Sequence, residues 1–92
     1  MEPEIIQGFE IIQESYATII KIKIDEKDVD NVYIHAYDNH IELHTISSDE
    51  EIMRYNTNYE ARMSWAEYGK GYLDIIIPIE RRGATDIRII KY

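Results

Sequence analysis

Three histidines, His35, His40 and His44, fall in one short stretch of the chain with Glu42 among them. Imidazole nitrogens and carboxylate oxygens are the donors that zinc and nickel accept, so this group is the first candidate for chemistry. If the stretch is a hairpin, cross-strand spacing lets two of the imidazoles share an ion and strains a third. The competing expectation is a solvated polar face with His35 paired across the hairpin to Glu42. That reading assigns no metal and no other cofactor, and it leaves His35, His40 and His44 as the weak metal candidates. Ile87-Arg88-Ile89 is the second group of interest, two apolar knobs flanking a cation.

Catalytic arrangements are missing. Ser15, Ser47, Ser48 and Ser64 sit in turns or on strand faces, and none lies in a Gly-x-Ser-x-Gly elbow. No glycine-rich loop suits a phosphate. The neighbouring carboxylates Glu50 and Glu51 stand in a polar connection, where they serve to solvate. The chain has no cysteine, which removes disulfides, thiolate metal sites and a cysteine nucleophile together. No enzyme is expected, and no catalytic residue is assigned.

The elements that must position these residues alternate with a period of two. Tyr16 to Ile24 places Ile20, Ile22 and Ile24 on one face and Lys21 and Lys23 on the other, the pattern of a half-buried strand. Asp25 to Asp28 interrupts it as a polar or short helical turn. A two-residue turn at Asp38-Asn39 folds Asn31 to Thr45 into a hairpin with Tyr37 opposite His40, Ala36 opposite Ile41, His35 opposite Glu42 and Ile34 opposite Leu43. This register sends Val32, Ile34, Ala36, Ile41 and Leu43 to one face, and Tyr33, His35, Tyr37, His40, Glu42 and His44 to the other. A slip of one residue would mix the sets.

Ser48 and Glu51 have the spacing of a capping box for a single helical turn. Tyr55 to Trp65 alternates again, with Tyr59 and Trp65 read as core residues, or as a client or partner patch if both are exposed together. Gly69-Lys70-Gly71 is a turn, and the following strand aligns Leu73, Ile75, Ile77 and Ile79, with Pro78 near its end. Asp86 to Ile90 reads as a last short strand. Near the start, Gly8 disfavours a helix, so Phe9 to Ile12 is expected as a strand hairpinned through Gln13-Glu14-Ser15. The expectation is an all-β, immunoglobulin-like antiparallel sandwich of about seven to eight short strands, with residues 1–8 as a short arm and 9–92 as the domain.

Composition agrees. The apolar set holds 19 Ile against two Val and two Leu, with eight Tyr, side chains that fit a pleated, half-buried surface. At 92 residues there is one domain. A net charge of −8 repels phosphate backbones, so no nucleic-acid partner is expected; Arg81, Arg82, Arg88 and Lys91 form only a locally basic end. The acidic start lacks a signal peptide's basic and apolar regions, and no apolar run approaches the roughly 20 residues of a membrane span. A cytoplasmic chain without a membrane partner is expected.

These segments, in this order, resemble the α-crystallin domain of the small heat-shock proteins. The resemblance rests on Ala66, Tyr68, Gly71, Leu73 and Pro78 within Ala66 to Pro78, where Lys70 stands in place of the usual Asn. It also rests on Phe9 to Glu14 with Tyr16 to Ile24, on Lys27-Asp28-Val29, on Asp38 to Leu43, and on Ile87-Arg88-Ile89. It covers residues 9–90. The family's Pro-Gly after the second strand is replaced by Asp25-Glu26, about ten residues separate Thr45 from Tyr55, and the arm is short. This trimmed form also resembles the co-chaperone CS domains and the α-crystallin-like domains of some arsenite-pump ATPases.

The resemblance implies an ATP-independent chaperone domain of the stress response that binds exposed apolar segments of other proteins and forms homo-oligomers. An Ile-x-Ile element of one subunit would dock on a neighbour's sandwich, making Ile87, Arg88 and Ile89 the protein-binding residues. Ile34, Leu43, Leu73, Ile75 and Ile77 are expected mainly in the core, with Ile75 and Ile77 among the candidates for the receiving groove. The alternative is an adaptor or co-chaperone module with one dedicated partner and no general holdase activity. A terminal strand packed on its own sandwich competes with docking in trans.

Overall fold

The computed structural model describes residues 5–79 and 87–92. Among these residues seven strands form in chain order: β1 (Ile6–Gln13), β2 (Ala17–Ile24), β3 (Val32–Ala36), β4 (His40–Thr45), β5 (Glu51–Asn56), β6 (Trp65–Gly69) and β7 (Tyr72–Pro78). One helical turn, α1 (Glu26–Val29), follows β2, and a 3₁₀ turn spans Ala61–Met63. The strands make two antiparallel sheets, one ordered β1-β2-β7-β6 and the other β3-β4-β5. The chain is an all-β sandwich. No helix among the described residues is long and apolar enough to cross a membrane.

The alternation of isoleucines builds the core. Ile20, Ile22 and Ile24 on β2 and Leu73, Ile75 and Ile77 on β7 face Ile41 and Leu43 on β4, and Ala61 joins them. All eight of the large side chains are fully or nearly buried, and each contributes about 1.5–3 kcal/mol by leaving water. The opposite face of β2 carries Lys21, whose Nζ lies 3.3 Å from Asp74 on β7. Tyr68 closes the end of the sandwich by donating its hydroxyl to the Ile24 carbonyl at 2.8 Å.

The β3–β4 hairpin pairs in the register that the sequence predicts: Ile34 opposite Leu43, His35 opposite Glu42 and Ala36 opposite Ile41, with the Tyr37 amide donating to the His40 carbonyl at 2.8 Å. Its apolar face therefore packs inward and its histidine face outward. The β6–β7 hairpin turns at Lys70 and Gly71, whose φ values of 54° and 84° are the pair of positive angles a two-residue hairpin turn needs. Lysine is strained there and asparagine tolerates it. Lys70→Asn is expected to stabilise the domain by roughly 0.5–1 kcal/mol, seen as a thermal midpoint a few degrees higher by calorimetry. An unchanged midpoint would show that the turn carries no strain.

Several expectations are corrected. β1 begins at Ile6, inside the expected arm, and Gly8 marks a bulge where the register shifts between Ile6 and Gly8. Ser48 and Glu51 cap no helix. The Thr45 and Ser48 hydroxyls bond at 2.6 Å, Asp49 takes a positive φ, and Glu51 opens β5, so local side-chain bonds turn the chain directly into the next strand. Tyr55 to Trp65 is not one strand. It stops at Asn56, where Asn56 and Asn58 favour a turn, and Tyr59 donates its amide to Thr57 Oγ1 at 3.1 Å. The expected last strand begins outside the described residues; Ile87 to Tyr92 carries no strand, and its side chains are exposed.

Candidate functional site

Two surfaces have features that a stable sandwich does not need. The first is the outer edge of β1, which among the described residues pairs with β2 alone. Phe9 is opposite Ile22 and Ile11 is opposite Ile20, so both point to the inner face of their sheet. Yet Phe9 is 62% and Ile11 41% exposed, while Ile20 and Ile22 are fully buried. A four-stranded sheet faces a three-stranded one, and the edge strand extends beyond its cover. Phe9-Glu10-Ile11 therefore presents apolar, acidic and apolar side chains in alternation along an edge that no other described strand covers.

Ile87-Arg88-Ile89 has the complementary alternation, and Ile87 and Ile89 are 88% and 89% exposed. Packing on the domain's own sandwich is thus not how these side chains are placed. The other candidates for a receiving groove, Ile75 and Ile77, are 1% and 0% exposed and lie beneath the opposite sheet, out of reach of a partner. Periodicity identifies them as inward-facing and says nothing of whether the cover extends over them. Phe9 and Ile11 escape notice in the sequence for the same reason, since their alternation is that of a covered strand. Trp65 is half exposed on the outer face while Tyr59 packs against the core, so the two do not form one patch.

The second surface is the outward face of β3-β4-β5. Glu42, at the centre of the middle strand, accepts from His40 Nε2 at 2.7 Å through one oxygen and from His44 Nε2 at 2.8 Å through the other. The Arg54 guanidinium on β5 reaches Glu42 at 3.2 Å and Glu51 at 2.8 Å. These donors hold the Glu42 carboxyl down at about 2, with the bonds from His44 and then His40 as the main causes. The Glu42 bond raises His44 above its ordinary value in turn. His44 Nδ1 is buried without a hydrogen-bond partner and lies 3.5 Å from Asp49 Oδ1. Asp49 accepts from the Tyr33 hydroxyl, which that bond pushes up to about 12.

Aromatic rings frame this network. Tyr33 stacks on His44 with centroids 5.3 Å apart, and Tyr37 stacks on His40 at 4.4 Å. His35 meets both Tyr33 and His44 edge-on, at 4.8 and 5.4 Å. The expected His35–Glu42 pair holds in register only; the carboxylate's bonds go to His40, His44 and Arg54. The structure thus brings His40 and His44 together on one acid and leaves His35 in the ring stack. Glu51 and Arg54 were not legible as members because the polar connection before β5 hides where that strand's pairing begins. No family model, curated protein or solved structure matches the chain.

Proposed function

We propose that the chain is a small heat-shock-protein-like binding module that holds exposed apolar segments of other proteins without ATP, through the open edge of β1. The observation that carries this reading is the exposure of Phe9 and Ile11 on the inner face of an edge strand. An extended segment added to that edge gains backbone hydrogen bonds, and its alternate side chains fill the uncovered strip. Ile87 and Ile89 are the docking knobs of a second copy: their spacing of two matches that of Phe9 and Ile11, and Arg88 then falls beside Glu10. Homo-oligomers, a stress-response role and a cytoplasmic location belong to the same reading, with no catalytic residue and no nucleic-acid or membrane partner.

An adaptor with one dedicated folded partner is the second reading. The observation in its favour is the short connection of residues 46–50 between β4 and β5, which holds no additional strand to exchange between subunits. The two are separated by size-exclusion chromatography with light scattering and by an aggregation-protection assay on an unrelated unfolding protein. The full chain is expected to form oligomers and protect the client. A chain truncated after Gly83, and the double variant Ile87→Ala with Ile89→Ala, should form smaller species with an unchanged thermal midpoint. Phe9→Ser should do the same from the receiving side. A wild type that is monomeric and protects nothing would remove the chaperone reading and leave the adaptor.

A further inference from the structure

We propose that Glu42, His44 and Glu51 form a binding site for one divalent transition-metal ion, best matched by zinc, which enters by displacing the Arg54 guanidinium. One donor atom from each of the three residues lies within 4.8 Å of the other two. Around a tetrahedral zinc with bonds of about 2.0–2.2 Å, neighbouring donors stand about 3.3–3.6 Å apart, so the 2.8 Å contact of His44 with Glu42 must open while Glu51 closes in by up to about 1 Å. Glu51, more than a third exposed at the start of β5, has the freedom to move that far. One imidazole and two carboxylates leave a fourth position for water. A nitrogen donor in so small a set favours zinc over calcium or magnesium, which take six or more oxygens.

The place of a cation between these carboxylates is already marked. The terminal nitrogen of Arg54 sits 2.8 Å from Glu51 and 3.2 Å from Glu42, yet its side chain is half exposed and able to withdraw into water. Strand pairing fixes the rest, since His44 is opposite Glu51 and Glu42 is opposite Arg54 across β4 and β5. The surroundings have the form of a metal site's outer shell. His40 holds Oε2 of Glu42, the oxygen that Arg54 also touches, which leaves Oε1 beside His44 for the ion, and His44 Nδ1 faces Asp49, the carboxylate–histidine arrangement that orients a ligating imidazole. On binding, Nε2 of His44 takes the ion and the neutral ring keeps its single proton on Nδ1, where Asp49 accepts it.

The test is isothermal titration of the full chain with zinc chloride in chelator-stripped buffer, with thermal midpoints measured alongside. One ion per chain is expected, with a raised midpoint. His44→Gln and Glu51→Gln should each weaken binding by about tenfold or more. Arg54→Gln should tighten it, because the competing cation is gone, and Glu67→Gln on the other sheet should leave it unchanged. Excess magnesium should not displace the zinc. Glu51→Gln alters an exposed side chain, so it reads out even if His44→Gln fails to fold. Absence of saturable binding, wild-type affinity in the Glu51→Gln chain, or weaker binding by Arg54→Gln would each overturn the site.

Discussion

Ile22→Ala is expected to lower the stability of the domain by about 2–5 kcal/mol and its thermal midpoint by roughly 10–30 °C. Ile22 is fully buried in β2, which lies between β1 and β7, and it pairs with Leu73 on one side and Phe9 on the other. Both neighbours are held by ladder hydrogen bonds, so the backbone cannot collapse into the space left by three carbons. A domain of this size has about 5–15 kcal/mol in total, and the loss is a large share of it. Urea denaturation followed by circular dichroism gives the value. Ile22→Val, expected to cost about 0.5–1.5 kcal/mol, keeps the measurement possible if the alanine variant does not fold. Ile87→Ala, at a position 88% exposed, should change stability by less than about 0.5 kcal/mol. Equal losses at positions 22 and 87 would mean that the core is not where the sandwich places it.

The second large effect is a dependence on pH that Glu42→Gln should erase. Glu42 titrates at about 2 in the folded chain against an ordinary 4.5. A depressed carboxyl stabilises the fold above its unfolded value, and that contribution disappears as pH falls from 4.5 toward 2. His44 is displaced upward from 6.5 by the same carboxylate. A raised histidine stabilises the fold below its unfolded value, and that contribution disappears as pH rises past 6.5 through the folded value. The network's contribution is therefore greatest between about pH 4.5 and 6.5. Thermal midpoints of the wild type, measured with chelator present, should fall on both sides of that window. The Glu42→Gln curve, subtracted from it, should isolate both limbs. A constant difference between the two curves from pH 2 to 8 would show that the His40–Glu42–His44 bonds do not form in solution.

The hairpin at Asp38-Asn39 was readable because two signals agreed, a turn pair that tolerates positive φ and an alternation that any slip would spoil. The core of β2 and β7 was readable for the second reason alone. Local polar chemistry misled at Ser48–Glu51, where a helix cap and a tight strand-to-strand turn ask for the same residue types, and the Thr45 hydroxyl decided between them. At Tyr55 to Trp65 the alternation continued through Asn56 and Asn58, but those side chains favour turning over pairing. For the candidate surfaces, the histidines announced themselves by type. Glu51 and Arg54 depend on where the pairing of β5 with β4 begins, and the bare strip at Phe9 and Ile11 on how far one sheet extends over the other, neither of which a local pattern encodes.

The order of strands within the four-stranded sheet also governs how the chain reaches this state. β2 and β7 are neighbours, yet the paired residues Ile20 and Ile75 are 55 positions apart (75 − 20). By contrast, β3-β4-β5 is two successive hairpins whose partners lie close in sequence. Hairpins close in about 1–10 µs, whereas long-range β pairing places whole domains in the millisecond-to-second range. The small sheet thus has time to assemble and dissolve many times before the large one is sealed. During that wait the isoleucines of β2 stand bare on a two-stranded ribbon, open to any other extended chain. The exposed edge of β2 is lost only when β7 pairs with it, so the slowest step of assembly is also the one that removes this opening.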